Sequence, residues 1–581
     1  MSELALRQAG FSELSYQFAR FIQRLDNSGD DLVAMAAALA SEAISEGHVC
    51  LNLAQMQRSD VLSQTGLPEE MPEWLQRLKQ SHVVGQPGDY KPLILTDEGL
   101  LYLYRFWLDE QNVAQAIRQR LQSVDIVNPE QLQQDFADWN SELEGIDWQK
   151  IVVLMALTRQ LSVISGGPGT GKTTIVLRLI QMLYGQNPKS KIALAAPTGK
   201  AAARLQRSID DSGTSGLSAK TLHRLLGITA DNTNGRYDRD RPLPVDVLIV
   251  DEASMIDLGL MAKLMQALPD KAQLVLLGDS QQLASVESGA VLANLCAQPS
   301  QVSSEFSQLA KQFTGMDVAA STDTVSALTD SVVLLQHSYR FDEHSDIGKL
   351  AKSVQSGDVN AVYDAVNNAQ IPIWQQQVDV SSIQAQVIDG YQAFFDAVSS
   401  HTDALTCLQL FEHYRVLTAL KQGVQSVSSI NELIERHYLR QGWRTHQRFY
   451  SGRPIMVTQN DYRQRLFNGD TGLVLYDEQG VLRACFLSDN TVRWVDLTRL
   501  PAHETAFAMT VHKSQGSEFE NVCVVLPEED SAILSRELLY TAITRAKKKV
   551  SLLCSDTVLQ KTVLTQHQRE TGLASLLSGH N

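Results

Sequence analysis

The sequence predicts an α/β protein built from two parallel-sheet units, preceded by a helical module and interrupted by a small barrel of short strands. Three observations carry that prediction. Apolar strands alternate with helices in two separate regions, a glycine-rich phosphate loop sits between one such strand and a helix, and short strands with tight turns replace helices over 441–505. With 581 residues, 44% hydrophobic and 20% charged, the chain can fill several cores of ordinary globular composition.

Residues 1–115 read as a module of their own. Helical stretches such as Asp31 to Leu39 precede a hairpin whose turn is Asp97-Glu98-Gly99, and its second arm alternates Tyr102, Tyr104 and Phe106 on one face. That alternation fits ordinary strand packing, or a face that docks a partner. No catalytic pattern falls there.

The first sheet unit is expected over 116–336. Its strands, at 161–165, 191–196, Val247–Val250 and 274–277, are continuous apolar runs, the pattern of a parallel sheet covered on both faces. Residues 231–241, rich in Asn, Asp, Arg and Gly, read as a solvated insertion, and 312–330 as a loop disordered in part. The second unit comprises 337–440 and 506–581, with strands at 414–420, 522–526 and 550–553. Between its halves, 441–505 carries turns at Asn468-Gly469-Asp470 and Asp477-Glu478-Gln479-Gly480, which predict an inserted barrel. No internal repeat or heptad array is evident.

The stretch Gly166-Gly167-Pro168-Gly169-Thr170-Gly171-Lys172-Thr173-Thr174 has the G-x-x-x-x-G-K-[ST] spacing of a phosphate loop. A triphosphate must be wrapped by backbone N–H groups, and only glycine-rich backbone approaches it without side-chain clashes. Lys172 would reach the β- and γ-phosphates of ATP, and the Thr173 hydroxyl would take Mg²⁺. The context fits, because 161–165 reads as a buried strand and Ile175, Leu179 and Leu183 recur at helical spacing. Asp251-Glu252 follows the next apolar strand. Asp251 is the expected Mg²⁺ ligand and Glu252 the base or orienter of the attacking water.

Composition narrows the class. A net charge of −16 argues against a surface that binds polyanions all over, though not against a local basic channel or a more basic partner. Six scattered cysteines without a C-x-x-C pair predict free, packed thiols rather than a zinc, iron–sulfur or disulfide framework. The N-terminus lacks a basic segment followed by an apolar run, and no apolar stretch approaches the roughly 18 residues of a membrane helix. A cytoplasmic protein without membrane contact is expected.

Further stretches follow in a fixed order: Ala196-Pro197-Thr198-Gly199-Lys200-Ala201-Ala202, Thr221-Leu222-His223-Arg224-Leu225-Leu226-Gly227, Gly278-Asp279-Ser280-Gln281-Gln282-Leu283, Ser338-Tyr339-Arg340, Met509 to Phe519, and Leu539-Tyr540-Thr541-Ala542-Ile543-Thr544-Arg545-Ala546. Together they resemble the superfamily 1 DNA helicases, in the branch of the RecD subunits of exodeoxyribonuclease V, over about 145–555. The resemblance implies two RecA-like motor domains, with the 441–505 insert an SH3-like barrel. It assigns Gln149 to the adenine, Gln282 to sensing the γ-phosphate, Arg340 and Arg545 to the transferring phosphoryl from the second domain, and Glu518 to the ribose. A planar guanidinium supplied across a cleft stabilises that charge only when the cleft closes. Pro197, Thr198, Gly199, Lys200, His223, Thr510 and His512 match positions near single-stranded DNA, and Arg463, Arg465 and Phe467 either line a strand-binding surface or form a charged rim. Lys547-Lys548-Lys549 reads as a solvated face rather than a DNA patch.

The implied activity is ATP-driven 5′-to-3′ translocation on the 5′-ended strand of a duplex end. It implies partners too, a RecB-like motor-nuclease and a RecC-like scaffold, in double-strand-break repair, recombination and DNA degradation. No nuclease-like cluster of acidic residues and lysine is visible, so nuclease activity is expected of the partner. Rival readings are a stand-alone helicase of the same branch, a phosphate-loop switch or transport ATPase, and a catalytically idle scaffold. The last would be expected to lack Lys172, Glu252 or Arg545, and all three are present.

Overall fold

In the computed structural model, the phosphate loop hangs from an interior strand of a six-stranded parallel sheet. The structure describes residues 10–55, 70–140, 145–213, 216–229, 231–297, 300–321, 326–339, 345–368, 380–461, 463–488, 491–529 and 531–578.

The N-terminal part packs helices Glu13–Asp26, Asp31–Ser45 and Met71–Gln80 on a small sheet of β1 (Leu51–Asn52), β2 (Val84–Gly85), β3 (Leu93–Leu95) and β4 (Leu100–Leu103), in the order β1-β4-β3-β2. The hairpin β3–β4 turns at Gly99, whose φ of 81° is costly for other residues. The second arm is shorter than the alternation of Tyr102, Tyr104 and Phe106 suggests. It ends at Leu103, and Tyr104 opens the helix Tyr104–Gln119. The longer helical period of Trp107, Val113, Ala114 and Ile117, all buried in the core beside helix Leu258–Ala267, outweighs the short two-residue alternation.

The first large sheet comprises β5 (Leu161–Gly166), β6 (Ile192–Ala196), β7 (Ala219–Thr221), β8 (Val247–Val250), β9 (Gln273–Gly278) and β10 (Val332–Leu335), in the order β10-β5-β9-β8-β6-β7. Alternate residues fill opposite faces. Val163, Leu248 and Leu276 belong to one core, and Ile164, Ile249 and Leu277 to the other, as the unbroken apolar runs require. The edges are β7, whose Ala219-Lys220-Thr221 is not an apolar run, and β10, whose Val332-Val333-Leu334-Leu335 is. The 312–330 stretch is more ordered than expected where it is described: helix Ser304–Thr314 reaches into it. Asp330 is buried, paired with Arg159 at 2.6 Å and accepting the Ser303 N–H at 2.7 Å. Residues 322–325 of that stretch lie outside the described residues.

A second parallel sheet is made of β11 (Tyr414–Thr418), which precedes the insert, and β17 (Ala508–Thr510), β18 (Phe519–Val525) and β19 (Ala546–Leu553), which follow it. Its order is β17-β11-β18-β19. The insert is an antiparallel sheet of β12 (Arg453–Val457), β13 (Thr471–Tyr476), β14 (Leu482–Ser488), β15 (Thr491–Val495) and β16 (His503–Thr505), ordered β15-β14-β13-β12-β16 around Ile455, Val474, Ala484 and Phe486. After helix Asp556–Leu564 the chain returns to the first half. There Arg569 donates to the carbonyls of Glu287 and Gly289 at 2.6 and 2.8 Å, and Leu573 and Leu577 enter the first core. All six cysteines are buried free thiols, and no helix among the described residues is long and apolar enough to cross a membrane.

Candidate nucleotide and nucleic-acid site

In an all-parallel sheet the carboxyl ends of the strands gather at one edge, and ligands bind there. Ser165 pairs with Gly278 and Gly166 with Leu335, so the phosphate loop, Asp279 and the segment after β10 emerge side by side. Val250 pairs with Ala195, which sets Asp251 level with Ala196 and the Pro197-Thr198-Gly199 turn.

Most helices of the two large units start on a side-chain cap: Asp147, Thr198, Asp257, Ser303, Ser345 and Ser535 each accept a backbone N–H of their first turn. Helix Lys172–Gln186 does not. Its cap is Gly171, at φ 81°, with no side-chain hydrogen bond. The first N–H groups of that helix are left for an anion. The loop itself is braced from both sides. Thr170 Oγ1 donates to the Gly167 carbonyl at 2.9 Å, the Tyr339 N–H to Gly169 at 2.8 Å and the Ser338 hydroxyl to Pro168 at 3.0 Å. Lys172 Nζ donates to the carbonyls of Gly166 and Gly167, the latter at 3.0 Å.

Asp251, Glu252 and Asp279 bring three carboxylates to this edge. Burial and the neighbouring Glu252 push the Asp251 carboxyl up to about 6, while Lys172 opposes the rise. Glu252 has φ 53°, a left-handed conformation that costs a non-glycine residue about 1–3 kcal/mol. Its N–H donates to Asp251 Oδ1 at 2.9 Å. Asp279 is buried, which raises its pKa. It accepts from Gln282 Nε2 at 2.9 Å, from the Gln281 N–H at 3.1 Å and from the Tyr540 hydroxyl at 3.1 Å. Gln282 Oε1 is buried with no hydrogen-bond partner among the described residues.

The second half supplies the opposite wall. Phe519 pairs with Ala546, so Glu518 and Arg545 stand together at the amino ends of β18 and β19. Arg545 is 3% exposed and donates to the Thr541 and Ser517 carbonyls at 3.1 and 3.3 Å. Burial lowers its pKa, opposed by the nearby Glu252, Glu518 and Asp279. Thr541 Oγ1 accepts the Leu283 N–H at 2.9 Å, and Gln515 Nε2 donates to the Leu283 carbonyl at 2.7 Å. Both backbone groups of Leu283 are thus held by the second half.

Two residues expected at the base and ribose are engaged elsewhere. Gln149 Nε2 donates to the Thr170 carbonyl at 3.1 Å, bracing the loop, and Glu518 pairs with Arg204 at 2.8 Å and Lys547 at 3.6 Å. Arg340 lies outside the described residues. The Lys547-Lys548-Lys549 run is exposed on the edge strand β19, with Lys548 paired to Glu520 at 3.0 Å, as a solvated face requires.

Of the candidate DNA residues, Pro197, Thr198, Gly199 and Lys200 share one helix start, and Gly516, which follows Thr510 and His512, lies against Ala201 of the same helix. Thr198 caps helix Gly199–Asp211 by accepting the Ala201 N–H at 3.2 Å. The insert lies over that helix start, where a Cβ added to Gly199 would come 2.7 Å from Phe467 Cβ. Phe467 therefore packs on the first half, while Arg463 and Arg465 are exposed. Lys200 sits among Glu412, Arg415, Asp470 and Arg207, and burial pulls its ammonium down to about 8. His223 is exposed on the short helix Leu222–Leu226, and Thr510 Oγ1 accepts the Lys513 N–H at 3.4 Å. Burial lowers the His512 pKa, with Arg569 and His567 as lesser causes.

Sequence reasoning gives no role to Arg204 and Arg569, nor to Asp279, Gln515, Tyr540 and Thr541, although these four lie in the stretches that carry the resemblance. Asp279 had a signal, since it follows an apolar strand just as Asp251 does. The others act through distant contacts that no local pattern encodes.

The donor set fits a nucleotide and its divalent cation. An uncapped helix start, a glycine cradle, a lysine resting on carbonyls, the adjacent carboxylates Asp251 and Glu252 and an orphaned amide oxygen all occur at one edge.

Two parallel sheets, one with a phosphate loop and carboxylates and the other with a buried arginine facing them, define a nucleotide-binding motor protein of the helicase class. The model of the N-terminal domain of RecBCD enzyme subunit RecD matches residues 7–102, that of an AAA domain 149–288, and that of a UvrD-like helicase C-terminal domain 505–553. The RecBCD enzyme subunit RecD of Mycobacterium tuberculosis is 35% identical over 589 residues, covering 98% of this chain and 95% of that protein. Its counterpart in Haemophilus influenzae is 36% identical over 528 residues, 83% of this chain and 81% of that protein. The ATP-dependent RecD2 DNA helicase of Deinococcus radiodurans is 28% identical over 491 residues, 84% of this chain and 59% of that protein. The chain belongs to the RecD family of RecBCD enzyme subunits.

Proposed function

We propose that the chain is an ATP-dependent 5′-to-3′ DNA helicase that works as the RecD-type subunit beside a RecB-like motor-nuclease and a RecC-like scaffold, in cytoplasmic double-strand-break repair. The observation that carries this reading is Arg545, a buried guanidinium of the second half whose helix is tied to the first through Tyr540 on Asp279 and Thr541 on Leu283. Family membership supports the partners and the polarity.

Two RecA-like domains, 116–336 and 337–440 with 506–581, would close on ATP, with 441–505 as an SH3-like insert and 1–115 as the docking module. Lys172 and the N–H groups of residues 167–173 would hold the phosphates, and Thr173 and Asp251 the Mg²⁺. The cation supplies charge neutralisation at the phosphates when bound. Glu252 would orient and deprotonate the attacking water, Gln282 would read the γ-phosphate, and Arg340 and Arg545 would stabilise the charge of the transferring group. Gln149 would reach the adenine by leaving Thr170, within the first half, and Glu518 the ribose by leaving Arg204, across the cleft. Pro197, Thr198, Gly199, Lys200, His223, Thr510 and His512 would grip single-stranded DNA. Alternating cleft closure would move those grips in steps.

An exposed apolar row on helix Glu13–Asp26 supports docking by the N-terminal module. Leu14, Phe21 and Leu25, at i, i+7 and i+11, are 70%, 53% and 49% exposed. The N-terminal match, and a likeness to the Mycobacterium tuberculosis RecD subunit that spans 95% of that protein against 59% of the RecD2 helicase, support a subunit over a stand-alone motor.

The test is strand displacement by the complex, with its RecB-like motor disabled, on 5′-tailed and 3′-tailed duplexes. Unwinding of the 5′-tailed duplex is expected. Unwinding of the 3′-tailed one alone contradicts the polarity.

A further inference from the structure

We infer that Tyr540 is a positioning residue for ATP hydrolysis, a hydroxyl from the second half that fixes Asp279 and, through it, the carboxamide of Gln282. The inference deepens the reading just given and rests on it.

The geometry converges on one oxygen. Asp279 Oδ2 accepts both the Tyr540 hydroxyl, at 3.1 Å, and Gln282 Nε2, at 2.9 Å. Each of the three side chains is buried, so no water competes for these bonds. With its amide nitrogen tied to Asp279, Gln282 leaves its Oε1 as a buried acceptor without a partner among the described residues. A carboxamide held by one end presents the other in a single orientation, which an acceptor for a reacting water or phosphate proton needs. The Tyr540 hydroxyl also reaches the phosphate loop, because a Cβ placed on Gly167 would lie 2.9 Å from it. A side chain at Gly167 would press on the Tyr540 hydroxyl and force it to shift.

Tyr540 lies on helix Arg536–Ile543, five residues before Arg545. Its neighbour Thr541 accepts the Leu283 N–H. The helix that delivers the arginine is therefore keyed to the Asp279–Leu283 segment at two points, a hydroxyl at each end of it. When the cleft opens, both must be released, and Asp279 loses one of its three donors. Loss of that donor leaves Asp279 held by Gln281 and Gln282 alone and lets the shared carboxylate and the Gln282 carboxamide turn, so hydrolysis is tied to closure by a second route besides the arginine.

The experiment uses the full chain with Mg-ATP and a single-stranded oligonucleotide, comparing wild type, Tyr540→Phe, Asp279→Asn and the double variant. Tyr540→Phe removes one oxygen and keeps the ring. It is expected to lower DNA-stimulated kcat about ten- to a hundredfold, the loss of one hydrogen bond to a charged group, with KM for ATP within about twofold of wild type. Because both changes act through the same carboxylate, the double variant should be no slower than Asp279→Asn alone. A Tyr540→Phe kcat equal to wild type overturns the inference, as do a change confined to KM and multiplicative losses in the double variant. A wild-type chain whose ATPase ignores DNA overturns the functional reading as well, which separates the two failures.

Discussion

Arg204, on the helix that follows β6, holds Glu518 at 2.8 Å across the boundary between the two halves. The pair joins the helix after the second strand of the first sheet to the amino end of β18, the place from which a nucleotide ribose would be met. Arg204 is 42% exposed, so solvent screening limits the contribution of the bond to stability, to about 1 kcal/mol or less. Its importance is positional.

Glu518→Gln should therefore raise KM for ATP about three- to tenfold, the range of one weakened hydrogen bond, and leave kcat within twofold. Steady-state ATPase assays at saturating DNA measure this. An unchanged KM would make Glu518 a strut between the halves and nothing more.

Lys200 gives a pH dependence. Its folded pKa of about 8 lies below the ordinary 10.5, so between these values the unfolded chain binds more protons than the native one. Stability from this group rises with pH across 8 to 10.5, and the full cost of burying the ammonium is present at pH 7. Lys200→Met should raise Tm at pH 7, and the gain should shrink as pH rises towards 10, read by thermal melts. If Lys200 also touches a DNA phosphate, the same variant lowers the salt slope of single-strand binding by about one.

Glu110 anchors the returning C-terminal segment. It is 1% exposed and accepts from the Tyr102 hydroxyl at 2.8 Å, the Thr571 hydroxyl and the Gly572 N–H at 3.2 Å. Glu110→Ala leaves those donors buried without a partner and should cost about 2–4 kcal/mol. Glu110→Gln keeps an acceptor and should lose less than half as much. Chemical denaturation of the two variants checks the order.

Much of the chemistry was legible because it is local. The phosphate loop, Asp251 and the apolar strands are patterns of adjacent residues, and the parallel sheets gather them at one edge. The helix start at Tyr104 was hidden by Tyr102, Tyr104 and Phe106, which mimic a strand over five residues while the helical period needs a dozen. The partners of Gln149 and Glu518 were not legible, because Thr170 and Arg204 meet them only after the chain folds back. Phe467, read as part of either a strand-binding surface or a charged rim, packs on Gly199, itself a candidate DNA residue more than 250 residues away in sequence, a contact no local pattern announces. Contacts between the two halves leave no periodic trace.

On the proposed reading Arg545 completes an ATP site whose other half is Lys172 and its loop. Single-strand-stimulated ATP turnover by Arg545→Ala beside wild type, with circular dichroism to verify the fold, decides it. A loss of about a thousandfold or more, the range of an arginine supplied across a cleft, is predicted. Turnover within about threefold of wild type, a difference under roughly 1 kcal/mol, would contradict it.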